Sequence, residues 1–380
     1  MTSKKIKVAV VVPTHWEYLM GGAQLQAKML LEELVRRGNV EVNYFASRVS
    51  ATPIESRDYT LTQVRAPNFL HRYGLFWDYF SLQRELEHYQ PDLVYQRVAT
   101  AYTGISARYA KRNGIPMIWH VANSTDCDVN RFDLASLRRP HAYLERAFVA
   151  YGRQNASHII AQNQDQKTLL DTNFRELRST IIPNFHPIPE RFEKPPPTPL
   201  RVLWIANLKD SKRPEAMVEV ARRLVHSTGI HFEMIGAPYP SPEQKKQDSI
   251  EKSIAVLPNL NYLGPLPLEE VNMLLARSHL LVNTSLKEGF SNTFIQAWLR
   301  CVPVLTLGVN PDNRLDGGPL GQSFSSINEM IAGLNRRQEH VDSLRKNGEG
   351  ARALAKQQFS LDNVKRLADL LLSLCKNSDI

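Results

Sequence analysis

Between Phe185 and Leu200 the chain reads HPIPERFEKPPPTP, six prolines in fourteen residues. Proline fixes its φ angle and has no N–H to give to a ladder, so neither helix nor strand continues through such a segment. The sequence predicts an extended, semi-rigid connector over 186–199. It separates 1–185 from 200–358, and each stretch is long enough to bury a core of its own.

The same pattern runs on both sides of the connector. Ile6-Lys-Val-Ala-Val-Val-Val is a mostly apolar, β-branched run of the kind found in strands buried on both faces. Glycines follow at Gly21 and Gly22. Residues 24–37 then read as a helix with Leu25, Met29, Leu30 and Leu34 on one face and Gly38 as its stop. Strands are expected at 40–46, 93–97, 117–121, 158–162 and 180–183, with helices at 77–87, 100–113, 134–154 and 164–173. After the connector the alternation restarts with a strand at 201–206 and a helix at 214–226 that carries Pro214 in its first turn. Further strands are expected at 231–235, 261–263, 279–283 and 302–306. A closing helix within 359–380 carries the stripe Val364, Leu367, Leu370, Leu371, Leu374. Alternating strand and helix predicts parallel sheets covered on both faces. The expected fold class is therefore α/β, with two Rossmann-like doubly wound domains facing a central cleft.

Composition narrows the function classes. With 43% hydrophobic and 22% charged residues, disorder is excluded as the main state. No apolar run approaches the roughly 20 residues of a membrane-spanning helix. The basic start, Met1-Thr-Ser-Lys-Lys, leads into a β-like run without a signal-peptide cleavage pattern, so a cytoplasmic location is expected. Cys127, Cys301 and Cys375 are odd in number and widely spaced, which fits neither a disulfide framework nor a metal site. The net charge is +9, of which about +6 falls within 1–185. Such a surface attracts phosphates in general. Without a basic run or a nucleic-acid module, a phosphate-rich ligand or an anionic membrane is the expected partner, and no nucleic acid is expected.

Ligands of open α/β sheets bind beyond the carboxyl ends of the strands, so the residues just after each strand are the candidates. The segment Lys287-Glu-Gly-Phe-Ser-Asn-Thr-Phe-Ile-Gln-Ala-Trp298 follows a strand and opens a helix near Ser291 or Asn292. A helix start presents free N–H groups and a positive dipole end, which suit a phosphate. Glu288 stands just ahead of it, able to accept from a sugar hydroxyl, and Gln296 lies about a turn inside. An ordinary capped helix with Phe294, Ile295 and Trp298 as core reads the same way. Around Asn207, the segment Ala-Asn-Leu-Lys-Asp-Ser-Lys-Arg places Lys209, Lys212 and Arg213 near the next helix start, where one side chain would neutralise a leaving diphosphate or simply be solvated. Gly21-Gly22 allows close backbone approach to a phosphate, but it is not the G-x-G-x-x-G fingerprint and by itself is a turn. His120 ends a strand, where a lone histidine is more often structural. Asp126-Cys-Asp128 offers a D-x-D triplet for a divalent cation on a diphosphate, although two loop acids are usually just solvated. Arg131, Arg138, Arg139, Arg146 and Arg153 interleave with Phe132, Tyr143, Phe148 and Tyr151, which reads either as a membrane or lipid-diphosphate contact or as a solvated helix face.

Together these residues resemble the retaining glycosyltransferases of family 4, which have the GT-B fold. Gly21-Gly22 matches the family's glycine loop, His120 its N-domain histidine near the sugar, and Ile181-Ile-Pro-Asn184 its segment before the linker. Lys212 matches the phosphate-binding lysine, and Glu288-Gly-Phe-Ser-Asn-Thr-Phe-Ile-Gln296 the E-x7-E segment. The closing helix fits the family's habit of crossing back to the N-domain. Two positions depart from the pattern. Asn207 stands where the family usually has Arg, and Gln296 stands where its second Glu receives the ribose hydroxyls, so the charge-assisted part of both contacts is lost.

The resemblance implies an acceptor-binding domain over 1–185 and a nucleotide-sugar-binding domain over 200–358. It implies transfer of a sugar, without a metal or other cofactor, from a nucleotide diphosphate sugar to a hydroxyl of a saccharide or lipid-linked acceptor in surface polysaccharide or glycolipid assembly. His120, Lys212 and Glu288 take the catalytic roles. Gly21, Gly22, Asn207, Gly289, Phe290, Ser291, Asn292, Thr293 and Gln296 take the donor-binding ones. No enzymic nucleophile is apparent, which suits a front-face mechanism. Two other readings remain open: a GT-B nucleotide-sugar epimerase, and a non-catalytic nucleotide-sugar-binding scaffold.

Overall fold

The computed structural model describes residues 5–50, 58–65, 74–127, 140–174, 178–193, 198–227 and 229–376. The chain divides into two compact units, Met1–Phe185 with Leu361–Ile380, and His186–Ser360.

The first unit is built on seven parallel strands: β1 (Ile6–Val11), β2 (Val40–Ala46), β3 (Thr60–Gln63), β4 (Leu93–Arg97), β5 (Met117–His120), β6 (His158–Ala161) and β7 (Ser179–Ile181). Their order across the sheet is β3-β2-β1-β4-β5-β6-β7. The helices are α1 (Gly22–Arg36), α2 (Tyr79–Tyr89), α3 (Ala101–Asn113), α4 (Pro140–Asn155) and α5 (Gln164–Asn173). Val8 to Val12 are fully buried because side chains of alternate parity feed two different cores. Helices α3 and α4 cross at glycine: a Cβ on Gly104 would lie 2.2 Å from the Phe148 carbonyl oxygen. The carboxylate of Glu145 then reaches the backbone N–H of Ala101 at the start of α3, at 2.7 Å.

The second unit repeats the plan with six parallel strands: β8 (Leu200–Ile205), β9 (Ile230–Ile235), β10 (Leu260–Tyr262), β11 (Leu280–Asn283), β12 (Val304–Leu307) and β13 (Gly321–Phe324). Their order is β10-β9-β8-β11-β12-β13. Its helices are α6 (Pro214–Arg223), α7 (Gln244–Ala255), α8 (Leu268–Ala276), α9 (Asn292–Trp298), α10 (Ile327–Glu339) and α11 (Val341–Gln358). In both sheets the order reverses beside the first strand, between β1 and β4 and between β8 and β11. Ligands of such sheets bind at the carboxyl ends of the strands beside that reversal; Gly21, Gly22, Lys212 and Glu288 follow strands that flank it, and His120 ends β5, one strand away.

The last helix, α12 (Asp362–Lys376), belongs to the first unit. Val364, Leu367, Ala368 and Leu371 pack into the core that holds Leu30 and Leu34 of α1. Full burial of such a side chain stabilises by about 1.5–3 kcal/mol. The contact is pinned at its edge by Arg37, whose guanidinium meets Asp369 at 2.6 Å.

The proline-rich connector differs from a free spacer where it is described. His186 is buried, its N–H bonds the Phe359 carbonyl at 2.9 Å, and its Nε2 lies 2.9 Å from Asn292 Oδ1. Arg352 donates to the Pro189 carbonyl and covers the Phe192 ring, and Arg277 pairs with Glu193. This stretch is thus fastened along the second unit. Pro195, Pro196 and Pro197 lie outside the described residues.

Candidate functional site

In the second unit the site is assembled at the end of β11. Ser285, Asn283 and Lys212 converge on one carboxylate oxygen: Glu288 Oε1 accepts from Lys212 Nζ at 2.5 Å, from Ser285 Oγ at 2.7 Å and from Asn283 Nδ2 at 3.2 Å. Lys212 closes a short turn, Asp210–Lys212, and Arg213 follows it in the left-handed region at φ 48°. That strained backbone is held from three directions. The Arg213 guanidinium donates to the Thr284 and Leu307 carbonyls at 2.6 and 2.7 Å, and Leu286 N–H bonds the Ser211 carbonyl. The Thr284 hydroxyl lies 2.7 Å from the Lys212 carbonyl oxygen and accepts from Trp204 Nε1. The basic loop after β8 is therefore clamped against the loop after β11, and a flexible lysine acquires a fixed base. An ion pair with one partner 28% exposed and the other 10% sits within reach of a ligand.

Asn207 uses its side-chain oxygen internally, accepting from Ala237 N–H at 3.0 Å. The loops after β8 and β9 come so close there that a Cβ on Gly236 would lie 1.8 Å from the Ala206 oxygen. The Asn207 amide nitrogen is left as the group to meet a ligand. Ser291 stands at the N-cap position of α9 without a side-chain cap bond, and its hydroxyl lies 2.9 Å from that of Thr293. Gly289 and Gln296 are buried beside them. Phe290 packs its ring among Phe359, Trp298 and Arg314, so only its main chain can face a ligand. The side chain of Asn292 is engaged by His186.

In the first unit, Gly21 and Gly22 form the turn between β1 and α1, with the Gly21 carbonyl accepting from Leu25 N–H. His120 ends β5 and is fully buried. Tyr95 hydroxyl lies 2.8 Å from its Nδ1, and Arg97 Nη1 lies 2.9 Å from Nδ1 and 3.1 Å from Nε2. Burial first, and then the Arg97 charge, hold the imidazole pKa well below its ordinary value.

Two expectations change here. The Asp126 carboxylate accepts from Ala122 and Asn123 N–H at 3.2 and 3.1 Å, so it closes its own turn as a backbone cap. Asp128 lies outside the described residues, and among those described no group of three His, Cys, Asp or Glu is placed to hold a metal. Arg153 is buried rather than on a basic face: it donates to the Asp126 carbonyl and covers the Phe174 ring. Phe148 and Tyr151 likewise pack against the core. Arg131, Phe132, Arg138 and Arg139 lie outside the described residues, and the exposed aromatics of this region are Tyr143, Trp77 and Phe80.

Sequence reasoning missed Ser285, Asn283, Thr284, Tyr95 and Arg97, and it named Arg213 as a candidate phosphate contact rather than as a clamp between loops. The Asn-Thr-Ser run carried a faint signal, since it stands at the end of a strand.

Residues 20–187 match the family described as Glycosyltransferase Family 4, and residues 199–323 match the one described as Glycosyl transferases group 1. No curated protein matches the chain. Among solved structures it is similar to sucrose-phosphate synthase from Thermosynechococcus elongatus, at 13% identity and a TM-score of 0.78, covering 97% of this chain and 99% of that one. It is similar to Anabaena Alr3699/HepE, solved in complex with UDP and glucose, at 17% identity and a TM-score of 0.76 over 97% and 100% of the two chains. A third is WaaG, a glycosyltransferase involved in lipopolysaccharide biosynthesis, at 16% identity and 0.74 over 96% and 99%. No helix among the described residues is long and apolar enough to cross a membrane.

Proposed function

The chain is a glycosyltransferase of the GT-B fold, and from that premise we propose that it moves a sugar from a nucleotide diphosphate donor to an acceptor hydroxyl with retention of anomeric configuration. The observation that carries the reading is the Lys212–Glu288 pair, held at the strand-order reversal of the second sheet with Ser285 and Asn283.

A donor diphosphate brings negative charge to a lysine whose base is fixed, and the Lys212 ammonium turns toward it. The N–H groups at 291–293 add their share, so charge on the leaving group is met without a metal. Glu288, released in part from Lys212, accepts from a sugar hydroxyl. Gln296 receives the ribose hydroxyls, and the Asn207 amide donates to a phosphate. The bond from the anomeric carbon to the phosphate oxygen breaks while the acceptor oxygen bonds to that carbon on the same face. The acceptor proton passes to the departing phosphate. His120 contacts the sugar as a neutral hydrogen-bonding group.

The acceptor, a saccharide or a lipid-linked saccharide, is assigned to the first unit, and surface polysaccharide or glycolipid assembly is the process such an acceptor serves. The HepE complexes with UDP and with UDP-glucose support a nucleotide-sugar donor. The test is thermal stability against UDP, GDP, ADP, CMP and dTDP, each with and without EDTA. One diphosphate should raise Tm regardless of chelator, by the equivalent of about 2.7 kcal/mol at a hundredfold excess over Kd. No rise with any of them would overturn the reading, and a rise without turnover would favour the nucleotide-sugar-binding scaffold. A donor consumed and isomerised without acceptor would point to an epimerase.

A further inference from the structure

Arg97 is the last residue of β4 and stands in register with His120 on β5. It is 1% exposed. Its Nη2 donates to Asn184 Oδ1 at 3.0 Å, its Nη1 faces both nitrogens of His120, and its Nε has no hydrogen-bond partner among the described residues. The side chains bonded to it are a histidine, an amide and, at 3.5 Å, the Tyr95 hydroxyl. None is a carboxylate. A buried guanidinium without a counter-charge costs several kcal/mol, and an apolar residue of similar size would serve a plain core better. Departures of that kind from local consistency mark functional positions.

The donor inventory supplies the reason. Arginine has only donors, so at least one of the two ring nitrogens that Nη1 faces has to be unprotonated. A doubly protonated imidazole would set N–H against N–H and one positive charge against another. We propose that Arg97 is a positioning residue for His120, fixing the ring with Tyr95 and Asn184 as one prearranged unit at the carboxyl ends of β4 and β5. The proposal rests on the reading of His120 as a sugar contact. The groups facing the ring from the strands beside it are Tyr95 and Arg97 on β4, with Ile160 in register on β6. Burial keeps the Tyr95 phenol protonated, since its pKa is raised. Among the described residues no carboxylate is bonded to the ring or to Arg97. His120 is thereby held neutral and in one orientation at the carboxyl end of β5.

The test is a ring-labelled histidine NMR titration of the intact protein, with the His120 signal assigned by its loss in His120→Asn. Between about pH 8 and 5, a span that includes the ordinary imidazole pKa near 6.5, the His120 signal should stay in its neutral position. In Arg97→Met the ring should titrate at a higher pH than in the wild type, burial still holding it below the ordinary value, and the pH profile of kcat should gain an acid limb. Arg97→Lys should restore the neutral signal while kcat stays about tenfold low and KM moves little, because an ammonium keeps the charge without the planar fork. Titration of wild-type His120 near its ordinary value would overturn the proposal. So would a folded Arg97→Met with an unshifted His120 signal and a wild-type pH profile. If Arg97→Met does not fold, the wild-type titration still decides. If the ring behaves as stated but His120→Asn turns over normally, the sugar-contact reading fails and the positioning role of Arg97 stands.

Discussion

The two units place polar clusters at equivalent ends of similar sheets, yet the clusters are built on opposite electrostatic plans. In the second unit, Lys212 and Glu288 neutralise each other and remain partly exposed. An arriving anion can take over the lysine, and the carboxylate is then free to receive a hydroxyl, so exchange of partners comes at little desolvation cost. In the first unit, Arg97 and His120 are sealed, and the cation leans on neutral groups. Nothing there is available for exchange. A pair of opposite charges near solvent suits a ligand that arrives charged. A sealed cluster built on neutral partners suits a ring that has to be kept uncharged and in one orientation. The contrast teaches that similar sheets need not divide binding work evenly.

The sharpest way to break this comparison is Lys212→Ala. If the lysine meets the leaving diphosphate, its removal should lower kcat/KM by about 10²–10³, the range for losing one preorganised donor at a developing charge. Glu288 keeps Ser285 and Asn283 as partners, so the fold should persist and circular dichroism should match the wild type. Steady-state kinetics with the donor identified by thermal shift would check it. Turnover within a few-fold of wild type would put the charge-exchange plan in the wrong unit.

How far the sequence reveals this arrangement depends on where the determining contacts lie. The strand at 93–97 and the helix at 164–173 coincide with β4 and α5 to the residue, because apolar runs and turn residues mark their ends locally. β3, TLTQ, and β13, GQSF, were missed: both are short, polar edge strands whose pairing comes from the neighbour rather than from their own composition. Lys212 and Glu288 were legible as strand-loop-helix residues. Their direct pairing was not, since it depends on two loops more than seventy residues apart being clamped by Arg213 and Thr284. Arg97 had no sequence signature. A lone arginine at a strand end becomes unusual only once its burial and its lack of a carboxylate are known.

A second prediction compares two buried histidines, one in each unit. Burial is the main cause that brings the His186 pKa down to about 4; the Asn292 hydrogen bond opposes the shift and Arg300 adds to it. The unfolded chain binds this proton near the ordinary value of 6.5, so between about pH 6.5 and 4 the unfolded state holds more protons than the folded one. The stability contribution of neutral His186 is therefore full above pH 6.5 and is lost as pH falls toward 4, by up to about 3 kcal/mol. His120 carries the same sign in the first unit. His186→Gln should flatten only the part of the slope that belongs to the second unit. Urea unfolding at about pH 7 and pH 5 would show it, and an unchanged slope in the variant would assign the acid sensitivity elsewhere.

The smallest expected effect concerns the outside of the first unit, where Trp77, Phe80, Tyr143 and Leu144 are exposed while Arg153 and Phe148 turn inward. Glu145 ties these two segments together through the Phe76 N–H, so the exposed aromatics form one neighbourhood on that unit. The second unit also exposes apolar side chains, Val256, Met273 and Leu286 among them, but no exposed aromatic ring among its described residues. Aromatic rings with a polar tip favour a membrane–water boundary, and the first unit also holds the larger share of the positive charge. If its acceptor is lipid-linked, the protein should float with anionic vesicles, and raising salt beyond about 0.1 M, where the Debye length is about 10 Å, should weaken that binding several-fold. Phe80→Ser with Trp77→Ser should remove what salt leaves, since the apolar part of the contact is not screened. Flotation that is absent, or unaffected by both salt and the double variant, would assign the first unit a soluble saccharide and leave the charge difference between the units without a membrane role.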